Sequence, residues 1–124
     1  MKATLHDKKL ILFGPERLTN GKPIIELKAV LAALVQNNYL DIVIDLSRTQ
    51  YIDSSGLGEL VASYNTVRNR GGSVCLNRMT SKAKEFLQMA RLLNVMNYFD
   101  VDYSLCHIVD IDGSNLDELK KLQP

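Results

Sequence analysis

Leu40-Asp41-Ile42-Val43-Ile44-Asp45-Leu46, followed by Ser47-Arg48-Thr49-Gln50-Tyr51-Ile52 and then Asp53-Ser54-Ser55-Gly56-Leu57-Gly58-Glu59-Leu60, is the stretch on which the architecture turns. Ile42-Val43-Ile44, framed by Leu40 and Leu46, is a continuous β-branched run. Such a strand is apolar on both faces and belongs inside a covered sheet. Asp53-Ser54-Ser55-Gly56 then opens a helix, because Asp and Ser are preferred where a helix begins. Along that helix Leu57, Leu60, Val61, Tyr64 and Val67 recur as one stripe, while Glu59, Ser63, Thr66 and Arg70 lie mostly off it. The stretch therefore reads as buried strand, loop and amphipathic helix.

Working outward, upstream residues Leu27, Val30, Leu31, Leu34 and Val35 predict another helix. Pro23 suits its first turn, and Asn37-Asn38 tolerate the left-handed backbone of a helix stop. Before it, Ala3-Thr4-Leu5 and Leu10-Ile11-Leu12-Phe13 read as two short strands turned back on each other at Asp7-Lys8. Downstream, Gly71-Gly72 ends the second helix and Ser73-Val74-Cys75-Leu76 forms the next strand. Thr80 or Ser81 caps a third helix with Ala83, Phe86, Leu87 and Ala90 as its buried stripe. A short strand is expected near Tyr98-Phe99. Ser114 with Asp117 resembles a capping box for a terminal helix carrying Leu116, Leu119 and Leu122. Strands alternating with helices imply right-handed crossovers, and the opening hairpin makes the sheet mixed. The expected fold class is α/β: a small mixed sheet with about four helices packed against it. Residues 1–124 form one domain, with 104–124 as a C-terminal extension that includes a short helix.

The 124 residues suffice for a core without disulfide or metal. A net charge of +1 excludes a strongly basic nucleic-acid binder, so no direct nucleic-acid partner is expected. No apolar run long enough for a membrane span occurs, and residues 1–9 lack the features of a signal peptide, so the expected compartment is the cytoplasm. Cys75 and Cys106 lie far apart without metal spacing, and Cys75 reads as a core residue.

Chemistry is largely missing. His6 and His107 have no metal-ligand neighbours in sequence. There is no phosphate loop, no dinucleotide fingerprint, and no nucleophile elbow around Ser54. Asp41 and Asp45 flank the central strand and read as its ends or a solvent-facing rim. Asp110 and Asp112 lack calcium-loop spacing. No catalytic residue, metal site or cofactor is expected, and the chain does not read as an enzyme.

What remains is the loop itself. A helix N-terminus has free backbone N–H groups and the positive end of the dipole. A serine placed there is open to modification, and those same groups can hold a phosphate. Plain capping uses the same physics, and spacing leaves both readings open.

Tyr51-Ile52-Asp53-Ser54-Ser55-Gly56-Leu57-Gly58-Glu59-Leu60 resembles the signature of the anti-sigma factor antagonists of the STAS superfamily, and Asn69-Arg70-Gly71-Gly72-Ser73-Val74 resembles the family's helix end, turn and next strand. The resemblance runs from about Ala3 to Tyr103. It implies the STAS fold, and it makes Ser54 the phosphorylated serine. Asp53, Ser54, Ser55, Gly56, Leu57 and Gly58 become the partner-binding segment. The implied partner is an anti-sigma factor that is itself a serine kinase of histidine-kinase-like ATPase fold. A PP2C-type phosphatase reverses the modification. The unphosphorylated protein would sequester the anti-sigma factor and so free a sigma factor for transcription. A weak homodimer is compatible with this picture. Two alternatives within the superfamily are a scaffold in a stress-sensing complex and a small-ligand-sensing module. Many members carry Gly-x-Leu-Asp before the first helix; here the region reads Gly14-Pro15-Glu16-Arg17-Leu18-Thr19-Asn20-Gly21, with Glu16 and Thr19 in place of the glycine and the aspartate.

Overall fold

The computed structural model describes residues 1–91, 97–99, 101–103 and 105–122. Strands β1 (Lys2–His6) and β2 (Lys9–Phe13) form the expected antiparallel hairpin. Asp7 and Lys8 make its two-residue turn at φ 49° and 67°. Positive φ at both positions gives the turn a twist that matches the flanking strands. A two-residue strand β3 (Arg17–Leu18) precedes helix α1 (Lys22–Gln36), and β4 (Asp41–Leu46) follows it. Next come β5 (Tyr51–Ile52), α2 (Ser54–Asn69), β6 (Ser73–Met79), α3 (Ser81–Met89), β7 (Tyr98–Phe99), β8 (Val109–Asp110) and α4 (Asp117–Lys120). The main sheet has the order β7-β6-β4-β2-β1-β8; β3 and β5 form a second, minimal one. In the main sheet β2, β4, β6 and β7 run parallel, and β1 is antiparallel to both its neighbours. The sheet is mixed, as the sequence indicates.

β4 sits between parallel neighbours and is buried on both faces. Ile42, Ile44 and Leu46 join the core shared with the helices, together with Leu27, Leu34 and Leu60. Val43 points the other way, into a second cluster with Ile11, Phe13, Cys75 and Tyr103. That second cluster accounts for the alternation-free apolar run. Cys75 is a buried free thiol within it, and burial pushes its pKa up. The α1 stripe is buried as expected, and Asn38 adopts φ 64° just past the helix.

Four expectations need correction. Val61 is 38% exposed, whereas Glu59 and Ser63 are buried. α2 packs against α1 as well as the sheet, so its buried arc is rotated from the apolar stripe. The change is tolerated because Lys28 pairs with Glu59 at 3.5 Å and the Ser63 hydroxyl donates to the Glu59 carbonyl at 2.8 Å. Asp45 is not a rim residue; it is 2% exposed and fully engaged, as described below. On α3 only Ala83 and Leu87 are buried. Phe86 is half-buried and Ala90, the C-cap, is exposed, since a short helix meets the sheet along a single turn. The Ser114–Asp117 capping box does not form. Ser114 instead donates from its N–H and hydroxyl to Asp112 Oδ1, and the Asp117 N–H is received by Asn115 Oδ1. The short helix expected in residues 104–124 is α4, and the same region adds a strand: β8 pairs with β1 through Lys2↔Asp110 and Ala3↔Val109 and covers an otherwise open sheet edge.

Candidate functional site

β4 delivers the chain to a loop whose course is fixed by buried polar contacts. Asp45 Oδ1 accepts from the N–H of Ser47 at 2.9 Å and from its hydroxyl, and Oδ2 accepts from Asn77 Nδ2 at 2.9 Å. Asn77, fully buried on β6, also bonds the carbonyl and N–H of Val101. A buried carboxylate is costly unless its lone pairs are satisfied, and here they are. Thr49 is buried, its hydroxyl donating to the Pro15 carbonyl at 2.7 Å. Its own carbonyl accepts from the Thr80 hydroxyl, and Thr80 Oγ1 in turn receives the Ala83 N–H as the cap of α3.

The next residues are laid against the segment before α1. Gln50 and Tyr51 donate N–H to the Glu16 carbonyl at 2.8 and 3.2 Å. Arg17 then pairs with Tyr51 and Leu18 with Ile52. These contacts were not legible in the sequence beyond the apolar character of Leu18.

Asp53, in an extended conformation, is the N-cap of α2. Its Oδ1 accepts from the Gly56 N–H at 2.9 Å and its Oδ2 from the Asn20 N–H at 2.9 Å. The Asn20 N–H, then that of Gly56, hold the carboxyl below its ordinary pKa of 3.8. Hydrogen bonds that favour the charged form have this sign. A depressed folded-state pKa stabilises the fold above the unfolded value and loses that contribution as pH falls through the folded value. Asp53→Asn, which keeps an acceptor oxygen but cannot titrate, is therefore expected to flatten the loss of stability on acidification below pH 3.8. Urea denaturation at neutral pH and in that acid range checks it. Parallel acid profiles for wild type and variant would remove the carboxylate from this role.

The two glycines differ in kind. A Cβ on Gly56 would lie 2.0 Å from the Leu18 carbonyl oxygen, so only glycine lets α2 start this close to β3. A Cβ on Gly58 would meet nothing within 4 Å.

Of the six residues singled out from the sequence, Asp53 is turned into the cap, Gly56 is buried and Leu57 is half-buried at the core margin. Ser54, Ser55 and Gly58 are exposed. Ser54 is the first residue of α2, and no hydrogen bond of its hydroxyl is found among the described residues. Residues at i, i+4 and i+7 share a helix face, so Ser54, Gly58 and the exposed Val61 form one small outward surface. Capping is thus assigned to Asp53, and the Ser54 hydroxyl is left available.

Among the described residues no histidine or carboxylate is hydrogen-bonded to it. His6 lies at the far end of the hairpin, edge-on to the Tyr103 ring at 5.2 Å and 3.7 Å from Cys106 Sγ. Among the described residues no cluster of His, Cys, Asp and Glu could hold a metal, and no helix is long and apolar enough to cross a membrane. A cavity of about 1280 Å³, lined by Leu5, Tyr39, Leu40, Asp41, Gly72 and Ser73 among others, opens where β4 and β6 begin and α2 ends. It is at the opposite end of α2 from Ser54.

Residues 24–103 match the STAS domain. An anti-sigma F factor antagonist of Paenibacillus polymyxa is 30% identical over 59 residues, which are 48% of this chain and 50% of that protein. The chain thus spans about half the length of this curated relative. Among solved structures, a candidate anti-sigma factor antagonist of Thermotoga maritima superimposes with a TM-score of 0.65 at 22% identity, covering 80% of this chain and 85% of that one. The anti-sigma factor antagonist SpoIIAA in its unphosphorylated form gives 0.62 at 14% identity, covering 82% and 87%. The phosphorylated form of SpoIIAA, a Bacillus cell fate determinant, gives 0.62 at 16%, covering 79% and 88%. At these identities the structural likeness speaks for the fold. The sequence match runs from the first turn of α1 to Tyr103 and encloses the whole strand, loop and helix around Asp53 and Ser54, and by it the chain belongs to the STAS domain family.

Proposed function

We propose that this chain is an anti-sigma factor antagonist whose partner binding is switched by phosphorylation of Ser54. In its unphosphorylated form it sequesters an anti-sigma factor that is a serine kinase of histidine-kinase-like ATPase fold, and a sigma factor is freed for transcription. The kinase phosphorylates Ser54 and the complex dissociates; a PP2C-type phosphatase restores the binding form. The chain works in the cytoplasm as a binding module and catalyses nothing itself. Residues 1–124 act as one STAS domain, with 104–124 as an extension.

The observation that carries this reading is the division of labour at the start of α2. Asp53 caps the helix, so the exposed Ser54 hydroxyl is spare. A residue can be switched without unfolding its host only if the fold does not depend on it. The relative of known kind and the SpoIIAA structures, one of them phosphorylated, add weight to the same reading. The test is to incubate the chain with an anti-sigma factor kinase from the same cells and ATP, locate any phosphate by mass spectrometry, and compare affinities before and after. Phosphate on another residue, or on none, would refute the proposal.

A further inference from the structure

Arg17, Tyr51 and Lys82 come from β3, β5 and the first turn of α3, and meet beside the segment that presents Ser54. The guanidinium carbon of Arg17 lies 4.4 Å from the centroid of the Tyr51 ring, and Lys82 Nζ lies 5.6 Å from the same centroid. Tyr51 is 44% exposed, and both cations are exposed. The convergence is built in. Backbone pairing fixes Arg17 opposite Tyr51, and the Thr80–Thr49 bond pins the start of α3 to the same loop.

Lys2, Lys9, Lys28 and Lys121 are matched by carboxylates, while Arg48 and Arg68 each lie over one ring, Phe13 and Tyr64; only at Tyr51 do two cations converge on a single ring among the described residues. Among the described residues, no ion pair is found for Arg17 or Lys82. The Asp53 carboxylate nearby is already held by the N–H groups of Gly56 and Asn20. Two like charges drawn to one ring repel each other, and a cation over an exposed aromatic face gains only about 0.5–1 kcal/mol. An anion received at this patch offsets the repulsion and adds charge-assisted hydrogen bonds.

We infer that Arg17, Tyr51 and Lys82 form a docking element for acidic side chains on the protein partner, and that it steers that partner onto the Ser54 surface. The inference rests on the binding role proposed above and adds the chemistry of the partner. It also gives phosphorylation a second effect. A phosphate three residues beyond Tyr51 brings about −1.5 to −2 charges next to the patch and reduces its attraction for carboxylates. Nucleic acid is the less suitable occupant, because the whole chain carries a net charge of only +1.

Two measurements test the element. First, hexaglutamate is titrated into the isotope-labelled chain. Saturable NMR shifts are expected at the Tyr51 ring and at Arg17 and Lys82, disappearing at high salt and in an Arg17→Ala/Lys82→Ala variant. Shifts centred elsewhere, or stronger ones with a single-stranded oligonucleotide, overturn the inference. Second, association with the anti-sigma factor kinase is followed by stopped flow. Arg17→Glu/Lys82→Glu is expected to slow association by roughly 10-fold or more at low salt, with dissociation little changed. The gap from wild type should close as salt shortens the screening length. Arg68→Glu/Arg70→Glu, the same change in net charge at the far end of α2, should slow it much less. Equal slowing by both variants overturns the inference while leaving the switch intact. Failure of the wild-type chain to bind any such kinase, with hexaglutamate still titrating Tyr51, overturns the proposed partner instead and leaves an acid-binding element standing.

Discussion

Gly56→Ala is expected to destabilise the protein by about 3 kcal/mol, the upper end of the usual cost of forcing extra atoms into a packed site. The added methyl would stand 2.0 Å from the Leu18 carbonyl oxygen and 3.0 Å from its carbonyl carbon. Both are backbone atoms, so no side-chain rotation relieves the clash. The chain must move α2 away from β3. That movement strains the Leu18↔Ile52 pairing and the hydrogen bond from the Asp53 N–H to the Leu18 carbonyl. Alanine's helix advantage of about 1 kcal/mol over glycine is too small to compensate. Gly58→Ala makes the contrast. It meets open space, and the same propensity term should leave stability equal or slightly higher. Urea denaturation of the two variants beside wild type reads the difference directly. Two midpoints close to wild type would mean that the contact between α2 and β3 yields easily, and that Gly56 has no structural reason to be glycine.

This pair shows where sequence reading stops. Gly56 and Gly58 flank Leu57 and look equivalent on paper, because the atom that distinguishes them belongs to Leu18, far away in the chain. β4 was legible because a β-branched run signals burial on both faces without reference to any partner. The hairpin and α1 were legible for the same reason: their signals are local and periodic. Strands β3, β5 and β8 have two residues each and exist only through their neighbours. Asp45 illustrates the opposite error. A carboxylate at the end of an apolar run suggests a solvated rim, yet Asn77 and Ser47 make it a buried anchor for the loop. On α2, polarity misled in the same way, since Glu59 and Ser63 are buried by pairing with Lys28 and with the helix backbone. At the candidate site, the motif showed which residues matter together but not their division of labour. That Asp53 is the cap, and Ser54 is not, depends on the direction of hydrogen bonds that spacing cannot reveal.

Phosphorylation of Ser54 is expected to weaken partner binding by about 2 kcal/mol or more, roughly thirtyfold, while leaving the melting temperature nearly unchanged. The stability half of this expectation follows from the cap. Asp53 keeps the N–H groups of Gly56 and Asn20, and the Ser54 hydroxyl makes no bond within the described fold that the phosphate must break. The new charge is near the positive end of the α2 dipole, which offsets part of its repulsion with the Asp53 carboxylate. The binding half follows from the outward face. Ser54, Gly58 and Val61 present a small surface with no charge of its own, suited to close packing against a partner. A group carrying about −1.5 to −2 charges in that contact is too bulky to pack, loses hydration there, and offsets the positive patch of Arg17 and Lys82 that draws the partner in. Ser54→Asp, with one charge and less bulk, should reproduce the loss only in part. Ser54→Ala should bind like the unmodified chain and accept no phosphate, and Ser55→Ala should still accept it. Isothermal titration of wild type, phosphorylated protein and these variants against the anti-sigma factor kinase, with a melting curve for each, separates the two halves. Equal affinities throughout would end the phospho-switch reading, and a large drop in melting temperature for Ser54→Ala would return the hydroxyl to a purely structural role.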